Sequence, residues 1–179
     1  MGSESPRRLL LVRHAKTEQV AGKIDHDREL LPRGVADARA GGRWLAERGP
    51  TPDLVLCSTA TRARQTWEHI AAGAGLDVEV WTDRRIYNAY PDEILAVIRE
   101  APEDRGVVVV VGHAPGIPDL GAALADPAGS DDAALAALRA GMPTAVGLEF
   151  QFAGDWAELT PDSAALVGYR RWQGSEEAQ

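Results

Sequence analysis

Apolar residues fall in short blocks separated by longer amphipathic stretches. Leu9-Leu10-Leu11-Val12 is one block, Leu54-Val55-Leu56-Cys57 a second, and Val107-Val108-Val109-Val110-Val111 the most apolar of all. Runs of this length, bounded by polar residues, read as strands covered on both faces, as in a parallel sheet. Val78-Glu79-Val80-Trp81 alternates instead and reads as a further strand over 78–81. Between the blocks the period changes. Pro32 opens a helix carrying Val35, Ala38 and Leu45 to about Arg48, stopped by Gly49-Pro50. A second helix runs from about Ala60 to Ala72, with Ser58 or Thr59 as its cap and Gly73 and Gly75 at its end. Pro91 starts a third, burying Ile94, Leu95, Val97 and Ile98, and a fourth spans about Ile117 to Leu124.

Three stretches are less regular. Residues 15–31 are polar and predict a long loop. Residues 126–143 are rich in Ala, Asp and Gly and predict a loose helical excursion. Gly147 to Phe152 and Trp156 to Leu159 predict a closing hairpin through Ala153-Gly154-Asp155, with Leu166 to Tyr169 as an edge. Strands alternating with helices imply an α/β three-layer sandwich with a mostly parallel central sheet. One domain over 1–179 is expected, with frayed termini at 1–8 and 173–179. A chain of that length buries roughly 70% of its unfolded surface.

The formal charge of −8 excludes a general nucleic-acid binder, because no basic face offsets it, yet leaves room for a local cationic pocket. The single cysteine permits no internal disulfide, and a reducing cytoplasm is the expected location. Residues 1–8 lack the apolar core of a signal peptide, and no run is long enough to span a membrane.

Candidate chemistry collects at the ends of the predicted strands. In an open α/β sheet the ligand crevice lies outside the carboxyl ends of the strands. The first strand ends in Arg13-His14, the second in Ser58-Thr59-Ala60-Thr61-Arg62, and the valine strand in His113. Each has an ordinary explanation: a polar exit from the core, a solvated helix residue, a histidine bonded to backbone. Polar groups at three converging strand ends favour a site instead. Guanidinium groups beside imidazoles suit an anion, phosphate above all. No His, Asp or Glu cluster has metal-ligand spacing, and neither metal nor cofactor is expected.

At these residues the chain resembles the histidine phosphatase superfamily, whose first strand ends in Arg-His-Gly, and within it the small branch of SixA-type phosphohistidine phosphatases. The matching pieces are Leu11-Val12-Arg13-His14-Ala15-Lys16-Thr17, Asp27-Arg28-Glu29-Leu30 with Gly34, Ser58-Thr59-Ala60-Thr61-Arg62-Ala63-Arg64-Gln65-Thr66, and Val111-Gly112-His113. They cover about residues 9–125 in the family's order. The resemblance implies a phosphoglycerate mutase-like fold, His14 as a nucleophile that becomes phosphorylated, and Arg13, Arg62 and His113 as holders of the phosphoryl group. Chemistry agrees: a neutral imidazole can attack phosphorus in line if its other nitrogen donates to a backbone carbonyl. Thr17 and the amides of the loop after His14 can add donors.

The match has departures. Ala15 replaces the motif glycine, so the turn after His14 must avoid positive φ. Leu31 stands where relatives often carry threonine. Many relatives place a glutamate after the third strand as general acid; here Asp92 and Glu93 are the candidates, in a first helical turn where acids commonly just complement the helix dipole. The second histidine is followed by Ala114 rather than the aspartate of another branch.

Other readings fare worse. A cysteine phosphatase needs five residues between Cys and Arg, and that spacing from Cys57 falls on Ala63. Gly73-Ala74-Gly75 follows a helix instead of opening one, so it is no dinucleotide fingerprint. A phosphomutase needs a second phosphate site, for which 126–143 offers only Arg139. The expected function is metal-independent removal of phosphate from phosphohistidine on a partner protein. The alternatives are a small-molecule phosphomonoesterase and a phosphate-binding module without turnover.

Overall fold

The computed structural model describes residues 5–175. Among them, one six-stranded sheet runs in the order β3-β2-β4-β1-β5-β6. The strands are β1 (Arg7–Arg13), β2 (Leu54–Ser58), β3 (Val80–Asp83), β4 (Val107–Gly112), β5 (Val146–Phe152) and β6 (Ala165–Arg171). The first four in that spatial order are mutually parallel, β5 runs antiparallel to β1, and β6 antiparallel to β5. The helices are α1 (Pro32–Glu47), α2 (Thr61–Ala74), α3 (Pro91–Arg99), α4 (Gly116–Leu124) and α5 (Asp132–Ala140). This is the predicted α/β sandwich with its phosphoglycerate mutase-like layout.

Alternation along the strands assigns the layers. Leu10, Val12, Val55, Cys57, Val109 and Val111 pack with Ala38 and Leu45 of α1 and Ala63, Trp67 and Ile70 of α2. Leu9, Leu11, Leu54, Leu56, Val108 and Val110 face the other way, onto α3, α4 and α5. Successive valines of β4 therefore feed opposite cores, which is why an uninterrupted apolar run is needed there. The helix after β1 lies on one face and the helix after β4 on the other. These adjacent strands send their chains apart, and a crevice opens between them at their carboxyl ends.

Four expectations need correction. Trp156–Glu158 is a 3₁₀ turn, and the antiparallel partner of β5 is β6. Burial of Trp156 and Leu159, three residues apart, with exposed residues between, is the 3₁₀ period rather than a strand's. Residues 126–143 hold a capped helix, α5, whose Asp131 side chain accepts from the Ala134 amide at 2.8 Å. Strand β3 sits about two residues later than 78–81, because an exposed edge strand is located by its pairing of Val80 with Val55 and not by burial. The fourth is the fraying of the ends. Residues 1–4 and 176–179 lie outside the described residues, but β1 already includes Arg7, whose guanidinium meets Glu103 and Asp155. Gly174 likewise donates its amide to Asp37 Oδ1 at 2.9 Å. Among the described residues, no helix is long and apolar enough to cross a membrane.

The loop at 15–31 folds back on itself. Leu31 N bonds to Lys16 O at 2.9 Å, Glu18 N to Glu29 O at 3.0 Å, and Thr17 bridges Leu30. Gly34, in the first turns of α1, lies against this backbone: a Cβ there would sit 2.2 Å from Lys16 O. Gly34→Ala is expected to lower stability by about 1–3 kcal/mol, read as a drop in the urea midpoint at unchanged slope. Gly106→Ala, whose Cβ would meet only Asp53 Oδ2 at 3.5 Å, should change little.

Candidate active site

Strand register builds the site. Arg13 pairs with Gly112 across β1 and β4, so His14 and His113 are the next residues on two adjacent parallel strands. Their rings stand 5.2 Å apart, centroid to centroid. Cys57 of β2 pairs with Val111, which brings Ser58 beside the end of β4. The next helix, α2, then delivers Arg62 from its first turn. Arg13, His14, Thr17, Arg62 and His113, the residues singled out from sequence, all line one cleft of about 380 Å³. Lys16, Gln19, Asp25, Arg28, Asn88, Ala114 and Thr144 complete its wall. Asp25 is the only carboxylate among the described residues that line it.

His14 is held for a definite chemistry. Its Nδ1 lies 2.8 Å from the carbonyl oxygen of Ala15, which can only accept, so Nδ1 carries the proton and Nε2 keeps a lone pair. Burial, reinforced by Arg62, Arg13 and Arg28, lowers its pKa to about 4 against the backbone bond that opposes this. The ring is therefore neutral at pH 7. The chain turn after it needs no glycine, because Ala15 does not adopt positive φ. Instead, the Ala15 amide donates to Thr66 Oγ1 at 3.0 Å, and Thr66 Oγ1 donates to Arg62 O at 2.7 Å.

The motif beginning at Ser58 can be read atom by atom. Ser58 Oγ is 2.8 Å from His113 Nε2 and accepts from the Ala60 amide at 3.2 Å. Ser58 does not cap α2, and neither does Thr59, whose Oγ1 meets His26 Nε2 at 3.0 Å; the N-cap is Ala60. Gln65 Oε1 accepts from the Leu30 amide at 2.8 Å and so ties α2 to the end of the 15–31 loop. Thr66 ties it to the start of that loop.

The cationic groups are oriented by neighbours that sequence reasoning missed. Arg13 Nη1 donates to Met142 O at 2.6 Å, which gives the segment after α5 a part in the site. Arg62, nearly fully buried, donates from Nη1 to Asp25 O at 2.7 Å and from Nη2 to Asp25 Oδ2 at 3.1 Å. Arg28 meets Asp25 Oδ1 at 2.9 Å and Thr17 Oγ1 at 2.5 Å, so Thr17's oxygen serves as acceptor for a guanidinium. Tyr87 Oη donates to Asp25 Oδ2 at 2.7 Å. The Tyr87 hydrogen bond, followed by those from Arg28 and Arg62, lowers the Asp25 pKa to about 2 despite some burial. It is ionised and has no proton to give. The available sequence signal was the dense Asp25-His26-Asp27-Arg28 stretch, where the resemblance drew attention to Asp27 instead.

Arg13 Nε, Arg62 Nε and His113 Nδ1 are buried in this wall without a hydrogen-bond partner among the described residues. The two guanidinium nitrogens are donors and suit an oxyanion. Asp92 and Glu93 are exposed and line no part of the cleft; Glu93 Oε2 accepts from the Tyr90 amide at 2.7 Å and so serves the helix end. Cys57 is buried, and desolvation pushes its thiol up to about 12, which removes it as a nucleophile.

The two histidines also set a pH dependence. Desolvation, then the charges of His14 and Arg62, lower the His113 pKa to about 3. Below the ordinary histidine value of 6.5 the unfolded chain takes up protons that the folded chain refuses. Stability is therefore full above pH 6.5 and falls until the folded values of about 4 and 3 are passed. Between pH 7 and 5, where most carboxylates stay ionised, the loss should be on the order of 1–2 kcal/mol per histidine. Urea unfolding at both pH values measures it, and His14→Gln should flatten the slope.

Comparison with known proteins agrees with this geometry. Residues 9–86 match the model of the histidine phosphatase superfamily, branch 1. An uncharacterized protein of Mycobacterium tuberculosis, Rv1276c, is 39% identical over 158 residues, 88% of this chain and 98% of the relative. The structure of a candidate phosphohistidine phosphatase SixA from Nakamurella multipartitia is 35% identical, with a TM-score of 0.83 over 94% of this chain and 98% of that one. A second candidate SixA, from Agrobacterium tumefaciens, is 29% identical, with a TM-score of 0.74 over 93% and 99% of the two chains. The chain belongs to the histidine phosphatase superfamily and, within it, to the small SixA-type branch.

Proposed function

We propose that the protein is a phosphatase that transfers phosphate from a phosphohistidine side chain of a partner protein to His14 and then to water, without a metal. One observation carries this reading: a neutral histidine with a free Nε2 faces a cationic cleft whose only carboxylate among the described residues, Asp25, is fixed in its ionised form. The cleft has a nucleophile and anion donors but no acid placed to protonate a leaving group.

In the first step the Nε2 lone pair of His14 attacks phosphorus and the P–N bond of the substrate breaks. Arg13, Arg62 and His113 spread over the phosphoryl oxygens and stabilise the transferring group. The departing imidazole takes its proton from solvent, which suffices because imidazole is a good leaving group near neutral pH. Water then attacks phospho-His14, releasing orthophosphate and restoring the neutral ring. An alkoxide leaving group, by contrast, forgoes the 10²–10⁴-fold that a placed acid supplies.

Three experiments test this. A labelled phosphodonor, quenched in alkali, should leave label on His14, and His14→Ala should lose both label and turnover; label on another residue would overturn the assignment. Arg62→Ala, with the fold intact, should lower kcat/KM by about 3 kcal/mol of transition-state stabilisation. The substrate class is tested by kcat/KM for a phosphohistidine peptide against an alkyl monoester. The peptide should be preferred, equally in wild type and in the Asp92→Asn, Glu93→Gln double variant. A preference for the alkyl ester that vanishes in that variant would favour a metabolite phosphatase instead.

A further inference from the structure

We infer that Ser58 is a positioning residue: it fixes the His113 ring in the tautomer that carries its proton on Nδ1, so that His113 presents a donor to the phosphoryl group. Both the phosphoryl group and the choice of tautomer in this statement rest on the function proposed above, because the Nδ1 hydrogen finds its acceptor in the bound anion.

The assignment follows from counting protons. Ser58 is fully buried, and its hydroxyl offers one hydrogen and two lone pairs. The Ala60 amide, at 3.2 Å, is a donor and uses one lone pair. Oγ has one other partner among the described residues, His113 Nε2 at 2.8 Å. If Nε2 carried the ring proton, two donors would converge on Ser58 and its own hydrogen would be sealed in the protein with no acceptor. In the other tautomer the unpaired hydrogen sits on Nδ1 of a residue that lines the anion cleft, where a phosphoryl oxygen can accept it, whereas no ligand can reach the fully buried hydroxyl. The hydroxyl therefore donates, Nε2 accepts, and the neutral ring holds its hydrogen on Nδ1.

Nδ1 is the buried nitrogen of His113 that lacks a protein partner. With a hydrogen there, it can donate to a phosphoryl oxygen; with a lone pair, it would repel one. The ring cannot easily turn to exchange its nitrogens, since His14 stands 5.2 Å away on one side and Tyr87 meets it edge-on at 5.6 Å. The arrangement also explains why a serine at the end of β2 remains buried when it caps no helix.

The test is the protonation pattern of His113 in the intact protein, free of substrate. Long-range proton–nitrogen correlation spectra of protein labelled with ¹⁵N-histidine distinguish the two tautomers of each ring, and His113→Gln identifies its signals. Wild type should show His113 protonated on Nδ1, as His14 is, but with Nε2 shifted by hydrogen-bond acceptance. Ser58→Ala should move His113 toward the Nε2-protonated form, and Ser58→Thr should restore the wild-type pattern. In turnover, Ser58→Ala should lose roughly 10- to 100-fold in kcat/KM, and the loss should vanish in a His113→Ala background. A wild-type His113 protonated on Nε2 would overturn the inference without any variant having to fold. So would a folded Ser58→Ala protein with an unchanged ring. A wild-type spectrum as expected, from a protein inactive on every phosphohistidine substrate, would instead overturn the proposed function and leave the tautomer assignment standing.

Discussion

Parallel pairing of β1 with β4 in the register Arg13 to Gly112 is the constraint from which the site follows. It places two histidines on neighbouring strand ends without help from any loop, and the amide of His14 is fastened to Gly112 O at 3.0 Å. Both strands are buried on both faces, so slipping the register by one residue would turn every inward side chain to the opposite core. Stability of the two cores and alignment of the two imidazoles are thus the same requirement. The β2–β4 pairing extends it to Ser58, and α2 extends it to Arg62, Gln65 and Thr66.

Charge in the cleft is more finely balanced than its four cations suggest. Asp25 holds Arg62 with both its backbone carbonyl and its carboxylate, while Arg28 and Tyr87 hold Asp25. A guanidinium so held keeps its direction before any anion arrives, which is the condition for electrostatic stabilisation without reorganisation. The acid count of the whole chain says nothing about this pocket. A protein of net charge −8 concentrates Arg13, Lys16, Arg28 and Arg62 around one histidine and, among the described residues, places one carboxylate beside them.

The sheet, the helices that cover it and the five residues picked for the site were legible because their signals are local. Apolar runs, a proline at N1 and polar strand ends each need only a few neighbouring residues to be recognised. Asp25 was not legible, since its meaning depends on how a seventeen-residue loop folds back, and that is decided by Lys16 closing on Leu31 and Gly34 at the loop's other end and by Gln65 far along the chain. Met142 was beyond sequence reasoning for a different reason: it acts through its carbonyl, which every residue has. The 156–159 segment misled because a short, mostly apolar run after the turn-forming Ala153-Gly154-Asp155 fits the second strand of a hairpin, whereas the indole of Trp156 donates to Arg105 O at 2.7 Å.

The two histidines show how one residue type is given opposite tasks by one hydrogen bond each. His14 meets a carbonyl, which can only accept, and so must protonate Nδ1 and offer a lone pair at Nε2. His113 meets a hydroxyl whose other bond is already a donor's, and so, with an anion to receive its Nδ1 proton, accepts at Nε2. Desolvation keeps both rings neutral, and Arg62 beside both, with Arg13 beside His14, adds to it. Neutrality is what makes the tautomer matter: a protonated ring donates from both nitrogens and has no direction to choose. The apolar strands that shape the fold therefore also set the chemistry, by keeping water away from two rings whose roles are then decided by a carbonyl and a serine.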